Sequence, residues 1–103
     1  VASAEVAAAL DGATGLIQAT PVGMANMPAM PLPEELLRPG IWVSEIVYVP
    51  LETPLLKAAR RIGCATADGG HMSVGQAVGG FKLFTGLDAD AARMDAHFRR
   101  LVA

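Results

Sequence analysis

Charged residues, cysteine and aromatic residues are all scarce in this sequence of 103 residues. Charged side chains make up 17% of the chain and leave a net charge of −2, which provides no basic surface for nucleic acid or anionic lipid. We therefore expect neither nucleic-acid binding nor membrane binding. The single cysteine, Cys64, has no partner for an internal disulfide, and its apolar neighbours favour a small buried residue.

Long hydrophobic runs are also missing. No apolar run approaches the roughly 18 to 20 residues of a membrane-spanning helix, and no basic stretch followed by a continuous apolar core opens the sequence. We accordingly expect a cytoplasmic protein. One cysteine and two distant histidines do not make a metal-binding cluster, and no Ser/His/Asp grouping indicates a hydrolase. His71, which follows two glycines, is interpreted as a solvated loop residue.

Apolar residues, in contrast, make up 52% of the chain, which predicts a folded structure with one core. Turn and capping residues divide this chain into short elements. The predicted helices are residues 4–10 with Ser3 as N-cap, a short helix from Pro33 ending before Pro39, residues 55–62, residues 72–84, and a last helix capped by Asp88. The predicted strands are residues 15–19, 41–49 and 65–67, of which the first reads as a buried parallel strand.

Helix 55–62 has the clearest local signals. Thr53 is placed to cap it, Pro54 suits its first position, and Gly63 predicts a left-handed end. Helix 72–84 is less regular because it contains three glycines, and either a close neighbour or tertiary packing must hold it. The last helix carries one apolar stripe, formed by Ala91, Met94, Phe98 and Leu101.

This order of elements predicts an α/β fold: the second half of a doubly wound, Rossmann-like parallel sheet, with about three short strands and flanking helices. A half sheet leaves an edge open, so we expect a missing N-terminal portion or a second chain to cover it. The long loop at residues 20–33 follows the first strand and is rich in proline and methionine. Open α/β sheets bind their ligands at such carboxyl ends of strands.

Three stretches of the sequence resemble the C-terminal part of the shikimate 5-dehydrogenase and quinate/shikimate dehydrogenase family. Residues 18–24, QATPVGM, are similar to the family's Asn-Ala-Thr-x-x-Gly-Met loop. Residues 45–56, EIVYVPLETPLL, resemble Asp-x-x-Tyr-x-Pro-x-x-Thr-x-Leu-Leu. Residues 69–86 are similar to Gly-x-x-Met-x-x-x-Gln-Ala followed by Phe-x-x-(aromatic)-x-Gly. The three stretches occur in the family's order, and the resemblance covers nearly the whole chain.

The resemblance implies a binding site for NADP or NAD and for shikimate or quinate. The positions that match cofactor-binding residues are Thr20, Gly23, Met24, Ile46, Gly69 and Met72. The positions that match substrate-binding residues are Tyr48 and Gln76, whose side chains both donate and accept hydrogen bonds. Read without the resemblance, the Thr20 loop is a plain turn, Tyr48 ends a strand and Gln76 lies on a helix surface.

Two departures and two absences limit what the resemblance implies. Gln18 stands where the family has Asn and Glu45 where it has Asp, so each side chain is longer by one methylene. The family's proton-transferring Lys and Asp belong to a separate N-terminal domain, and neither Lys57 nor Lys82 lies in a matching motif. The Gly-x-Gly-x-x-Gly fingerprint is absent as well.

The primary hypothesis is therefore that residues 1–103 form the C-terminal portion of a nicotinamide-cofactor-binding domain, including its closing C-terminal helices. We assign no catalytic residue and no metal ligand, and we expect the chain to be inactive by itself in reversible hydride transfer at the alcohol carbon of shikimate or quinate. The alternative, from another functional class, is a non-catalytic α/β module that assembles with another chain.

Overall fold

The computed structural model describes residues 3–103 as one parallel sheet with helices packed around it. The strands are β1 (Gly15–Gln18), β2 (Trp42–Glu45) and β3 (Ala65–Ala67), in the sheet order β1-β2-β3. The helices are α1 (Val6–Leu10), α2 (Pro54–Ile62), α3 (Gly69–Thr85) and α4 (Ala91–Val102), with 3₁₀ turns at Ser3–Glu5 and Glu34–Leu36. Three parallel strands with flanking helices confirm the predicted α/β fold class.

The core lies between α2, the two longer strands and the chain that precedes β2. Its buried members are apolar: Leu10, Leu32, Leu37, Ile41, Val43, Leu55, Ala58, Ala59 and Cys64. Cys64 is a free thiol that donates to the Arg38 carbonyl at 3.2 Å, which confirms the prediction of a buried, apolar cysteine. The capping signals of α2 are also confirmed, because Thr53 Oγ1 accepts from the Leu56 amide and Gly63 ends the helix at φ 103°.

Two strands, β1 and β2, depart from the sequence prediction. β1 is parallel to β2, but Ile17 is 60% exposed, so the prediction of a buried strand is wrong for that residue. In the described chain β1 pairs with β2 only, which leaves its other edge open. β2 ends at Glu45 instead of Val49, because the Glu45 carboxylate, not a neighbouring strand, accepts from the Val47 amide.

Several helix boundaries differ by a few residues. α3 begins at Gly69, not Met72, because Asp68 accepts from the Gly70 amide and caps the helix, so His71 lies in the first helical turn and not in a loop. The prediction that Asp88 caps the last helix is wrong, since Asp90 does so. Pro33 precedes the 3₁₀ turn in extended backbone.

The N-terminal and C-terminal helices also differ from prediction. Ser3 opens a 3₁₀ turn instead of standing before an α-helix, and its predicted capping side chain lies outside the described side chains. In α4, Met94 and Phe98 are half-buried, whereas Ala91 and Leu101 are exposed. The apolar stripe is therefore only partly covered.

The glycines of α3 divide into two kinds. A Cβ at Gly69 would overlap the backbone oxygens of Ile46 and Val47, so this position requires glycine. At Gly75, Gly79 and Gly80, by contrast, no heavy atom of the described chain other than the adjacent residues and the nearby backbone of α3 lies within 4 Å of a Cβ position. Of the two predicted alternatives, a close neighbour is not found at these three glycines in the described chain, and the buried residues of α3 lie in its N-terminal turns, at Gly69, Gly70 and Val74.

Candidate functional site

A cavity of about 290 Å³ opens at the carboxyl ends of β1 and β2. One wall is the loop after β1 and the other is the segment after β2. The lining residues are Ala19, Thr20, Pro21, Met24, Ile46, Val47, Tyr48 and Val49. Four of the eight predicted site residues therefore meet in one place, because the carboxyl ends of adjacent parallel strands lie side by side.

The two walls are joined by direct hydrogen bonds. The Ala25 amide donates to the Val49 carbonyl at 3.1 Å, and the Ile46 amide donates to the Gln18 carbonyl at 3.1 Å. Within the loop wall, the Gly23 amide donates to the Met27 carbonyl at 2.8 Å, and Gly23 adopts φ 105°. This left-handed conformation explains the glycine, which is buried behind the cavity, outside its lining.

The remaining predicted residues lie on the first turns of α3. The contact of Gly69 with the backbone oxygens of Ile46 and Val47 sets the helix N-terminus against the second wall of the cavity. Met72 follows it and is half-buried, and Gln76 lies further along with an exposed side chain. Gly69, Met72 and Gln76 are not part of the cavity lining itself.

A buried polar network supports the cavity from behind, and two of its members, Gln18 and Glu45, are the residues that depart from the family's motifs. Gln18 and Glu45 are 3% and 1% exposed and are register partners at the ends of β1 and β2. The Gln18 side-chain nitrogen donates to Glu45 Oε1 at 3.1 Å, and Thr53 Oγ1 donates to Glu45 Oε2 at 3.0 Å. In the described chain no buried side-chain nitrogen or oxygen atom lacks a partner. The signal in the sequence was a polar side chain inside each of two largely apolar predicted strands, Gln18 in 15–19 and Glu45 in 41–49.

Tyr48 is supported by α4, a contact that the sequence did not reveal. Its ring lies 5.8 Å from that of Phe98, measured between centroids, at an interplanar angle of 58°. This tilted arrangement is a favourable aromatic geometry. The last helix therefore contributes to the position of a residue that lines the cavity.

An ion pair fixes α4 against the start of α3. Asp68 binds the Arg99 guanidinium through two hydrogen bonds of 2.8 and 3.1 Å, and Arg99 also binds Asp95. The hydrogen bonds from Arg99 lower the pKa of Asp68, against the opposing effect of burial, and the same carboxylates raise the pKa of Arg99. His71 lies beside the pair, with Nδ1 3.0 Å from the guanidinium, but its side chain is mostly exposed.

Other kinds of site find no support in the described residues. No group of three or more His, Cys, Asp or Glu side chains among residues 3–103 is arranged to hold a metal ion. Within the same range, every helix is too short or too polar to cross a membrane.

No family model matches the chain, but individual curated proteins do. The shikimate dehydrogenase (NADP(+)) of Streptomyces avermitilis is 58% identical over 92 residues, which are 89% of this chain and 32% of the relative. The quinate/shikimate dehydrogenase (NAD(+)) of Corynebacterium efficiens is 47% identical over 93 residues, 90% of this chain and 33% of the relative. The chain thus spans about a third of the length of these relatives.

Solved structures of dehydrogenases are similar to the chain in fold. The quinate dehydrogenase from Corynebacterium glutamicum in complex with NAD matches with a TM-score of 0.90 and 43% identity, over 95% of this chain and 35% of that one. Shikimate 5-dehydrogenase from Listeria monocytogenes in complex with shikimate and NAD matches with a TM-score of 0.84 and 28% identity, over 92% of this chain and 34% of that one. These matches confirm the predicted Rossmann-like half sheet. In sequence and in fold, the chain corresponds to the C-terminal part of the shikimate and quinate/shikimate dehydrogenase family.

Proposed function

We propose that this chain forms the nicotinamide-side wall and part of the substrate wall of an NAD(P)-linked dehydrogenase that acts reversibly on shikimate or quinate. The observation that carries this proposal is the cavity at the ends of β1 and β2, where Thr20, Met24, Ile46 and Tyr48 come together. In this view residues 1–103 are the C-terminal portion of a nicotinamide-cofactor-binding domain, and α4 completes it.

The chemistry of the cavity fits a nicotinamide group. Apolar side chains of Met24, Ile46, Val47 and Val49 suit the flat faces of the ring, and two hydroxyl groups, on Thr20 and Tyr48, suit its polar substituent and a substrate hydroxyl. When bound, the cofactor supplies hydride transfer at its ring. In this proposal the side chains of this chain bind and orient the two reactants.

The residues on α3 extend this site along the helix. Because Gly69 has no side chain, α3 begins directly against the backbone of residues 46 and 47. We propose that the Met72 thioether packs against the nicotinamide and that the Gln76 amide binds a hydroxyl of the cyclic acid. Tyr48, held by Phe98, is proposed to bind another hydroxyl.

We also propose that the chain does not complete the reaction by itself. Oxidation of the alcohol requires a group that takes its proton, and neither lysine of the described chain lines the cavity. Lys57 lies exposed on α2, and Lys82 donates to Asp88 at 2.9 Å. The proton-transferring group would therefore come from further polypeptide.

The alternative, an assembly module, is favoured by a different observation. β1 has an open edge in the described chain, and Leu83 and Phe84 on α3 are 87% and 92% exposed. We propose that further polypeptide covers these surfaces, as an N-terminal portion or as a second chain. Stable self-association in sedimentation equilibrium would favour the second-chain version, whereas a monomer or an aggregating chain would favour the first.

The test of the main proposal is an NMR titration of the 103-residue chain with NADH, NADPH, shikimate and quinate. We expect saturable shifts at Thr20, Tyr48, Met72 and Gln76, and none at Thr14, an exposed threonine outside the cavity. A folded chain that shows no saturable shift with any of the four ligands would contradict ligand binding by this chain and leave the assembly module as the better hypothesis.

A further inference from the structure

The side-chain amide of Gln18 has only one orientation that satisfies its surroundings. Its nitrogen faces three oxygen acceptors: the Val22 carbonyl at 2.8 Å, Glu45 Oε1 at 3.1 Å and the Thr20 carbonyl at 3.2 Å. The reversed amide would place an oxygen against all three, with no proton between them. Since Gln18 is almost fully buried, water cannot relieve that arrangement.

The orientation of this amide determines the direction of the Thr20 hydroxyl. The Gln18 side-chain oxygen accepts from the Thr20 amide at 2.7 Å and also from Thr20 Oγ1. A hydroxyl has one proton, and the amide oxygen has none to give, so the Thr20 proton points toward Gln18. The Val22 amide donates to Thr20 Oγ1 at 3.3 Å and occupies one lone pair. The group that remains for a ligand is the second lone pair.

The network behind Gln18 keeps this arrangement in place. Glu45 also accepts from the Val47 amide at 3.0 Å and from Thr53 Oγ1, and Thr53 in turn caps α2. The amide of Gln18 is thus tied to the second wall of the cavity and to a buried helix N-terminus. A rotation of the amide would break its bonds to the loop after β1 and its bond to Glu45 of β2 at once.

We infer that Gln18 is a positioning residue that presents Thr20 to the cavity as a hydrogen-bond acceptor, so that Thr20 selects a ligand with a donor at that place. The inference rests on the proposed function. The donor is either the carboxamide NH₂ of the nicotinamide or a hydroxyl of the cyclic acid. Thr20 therefore discriminates by the presence of a proton on the ligand, not by size.

The experiment compares NADH with its 3-acetylpyridine analogue, in which a methyl group replaces the carboxamide NH₂, by NMR titration of the 103-residue chain. If the carboxamide is the donor, the analogue binds about fivefold more weakly, because one net hydrogen bond is worth about 1 kcal/mol. Thr20→Val, which keeps the shape and removes the hydroxyl, makes the two ligands equal, whereas Thr20→Ser and the control Thr14→Val retain the difference. If a hydroxyl of the acid is the donor, shikimate affinity falls about fivefold in Thr20→Val and nucleotide affinity does not change.

A second variant tests the positioning role. Gln18→Met removes the oxygen that holds the Thr20 proton, so the hydroxyl is free to rotate and the discrimination shrinks toward that of Thr20→Val. The Thr20 variants leave the network between Gln18 and Glu45 intact and keep the test decisive if Gln18→Met does not fold.

Two results would overturn the inference while ligand binding stands. One is that each ligand binds Thr20→Val with the same affinity as it binds the wild type. The other is that the difference between NADH and the analogue persists in Thr20→Val, which would place the acceptor elsewhere. If wild type itself responds to none of the ligands, the proposed function fails first and the role of Thr20 fails with it.

Discussion

Asp68 joins two helices, and its replacement by asparagine tests how much this junction contributes to stability. Its Oδ1 accepts from the Gly70 amide at 3.0 Å and caps α3, while both carboxylate oxygens bind Arg99 of α4. Its side chain is only 12% exposed, so the pair is partly shielded from solvent. Asp68→Asn keeps an oxygen for the cap and loses the charge, whereas Asp68→Ala loses both.

The expected magnitudes follow from these two roles. A helix cap contributes about 1 kcal/mol. Exposed ion pairs contribute about 0–1 kcal/mol, and a shielded, two-bond pair should exceed that range because hydrogen bonds to charged groups are worth about 1.5–3 kcal/mol. We expect Asp68→Asn to lower the free energy of unfolding by about 1–2 kcal/mol and Asp68→Ala by about 2–3 kcal/mol at neutral pH.

The direction of the pKa shift of Asp68 determines how the stabilisation by this residue changes with pH. The hydrogen bonds from Arg99 lower the pKa of folded Asp68 below its ordinary value of 3.8, so the folded state binds fewer protons than the unfolded state. The stabilisation is therefore complete above pH 3.8 and is lost as the pH falls through the lower pKa of the folded state. The difference between wild type and Asp68→Asn should shrink in that acid range.

Urea unfolding followed by far-UV circular dichroism, at neutral pH and across the acid range, measures both effects. The control is Asp88→Asn, since Asp88 is 90% exposed and, among the described residues, pairs only with Lys82 at the surface; no measurable change is expected there. Equal stability of Asp68→Asn and wild type at neutral pH would refute the stabilising role. A difference that stays constant on acidification would refute the electrostatic explanation.

Three further predictions concern packing and helix capping. Gly69→Ala should destabilise the chain by about 2 kcal/mol or more in urea unfolding, because its Cβ would overlap two backbone oxygens. Gly79→Ala, with open space around it, should instead stabilise α3 by up to about 1 kcal/mol. Equal effects of the two substitutions would contradict the close approach of the backbone at Gly69. Leu56→Ala, at a fully buried position, should cost about 2–5 kcal/mol, and a loss below about 1 kcal/mol would mean that the site collapses without a cavity. Thr53→Val should lower the free energy of unfolding by about 1–3 kcal/mol, because it removes the cap of α2 and a donor to Glu45. Hydrogen exchange at the Leu56 amide should become faster. An unchanged exchange rate would contradict the capping role of Thr53.

The sequence predicted local structure well where the contact that caps or ends a helix lies within one helical turn. The Thr53 cap and the Gly63 stop of α2 are both found, because each depends on contacts a few residues away. The start of α3 was placed three residues late, since the prediction did not assign Asp68 as the capping residue of this helix. The length of β2 was overestimated because, after the bond from Ile46 to Gln18, the Val47 amide turns to the Glu45 side chain and residues 47–49 line a cavity.

The roles of Gln18 and Glu45 were not predictable in the same way. In the sequence they are two longer side chains 27 residues apart, and nothing local indicates that they meet. The parallel register places them side by side at the ends of β1 and β2, and burial then requires every hydrogen-bonding atom to find a partner. The site residues of α3, named from their motif, remain predictions for the titration to test.

The sequence by itself determined the fold class, the boundaries of α2, the buried state of Cys64 and the family resemblance, because composition, capping residues and ordered motifs need no knowledge of distant contacts. Tertiary structure alone decided which predicted residues share a cavity, which way the Gln18 amide and the Thr20 hydroxyl point, and how Asp68 and Phe98 fasten α4 to the site. These features depend on residues far apart in the chain, and only packing brings them within hydrogen-bonding or van der Waals distance.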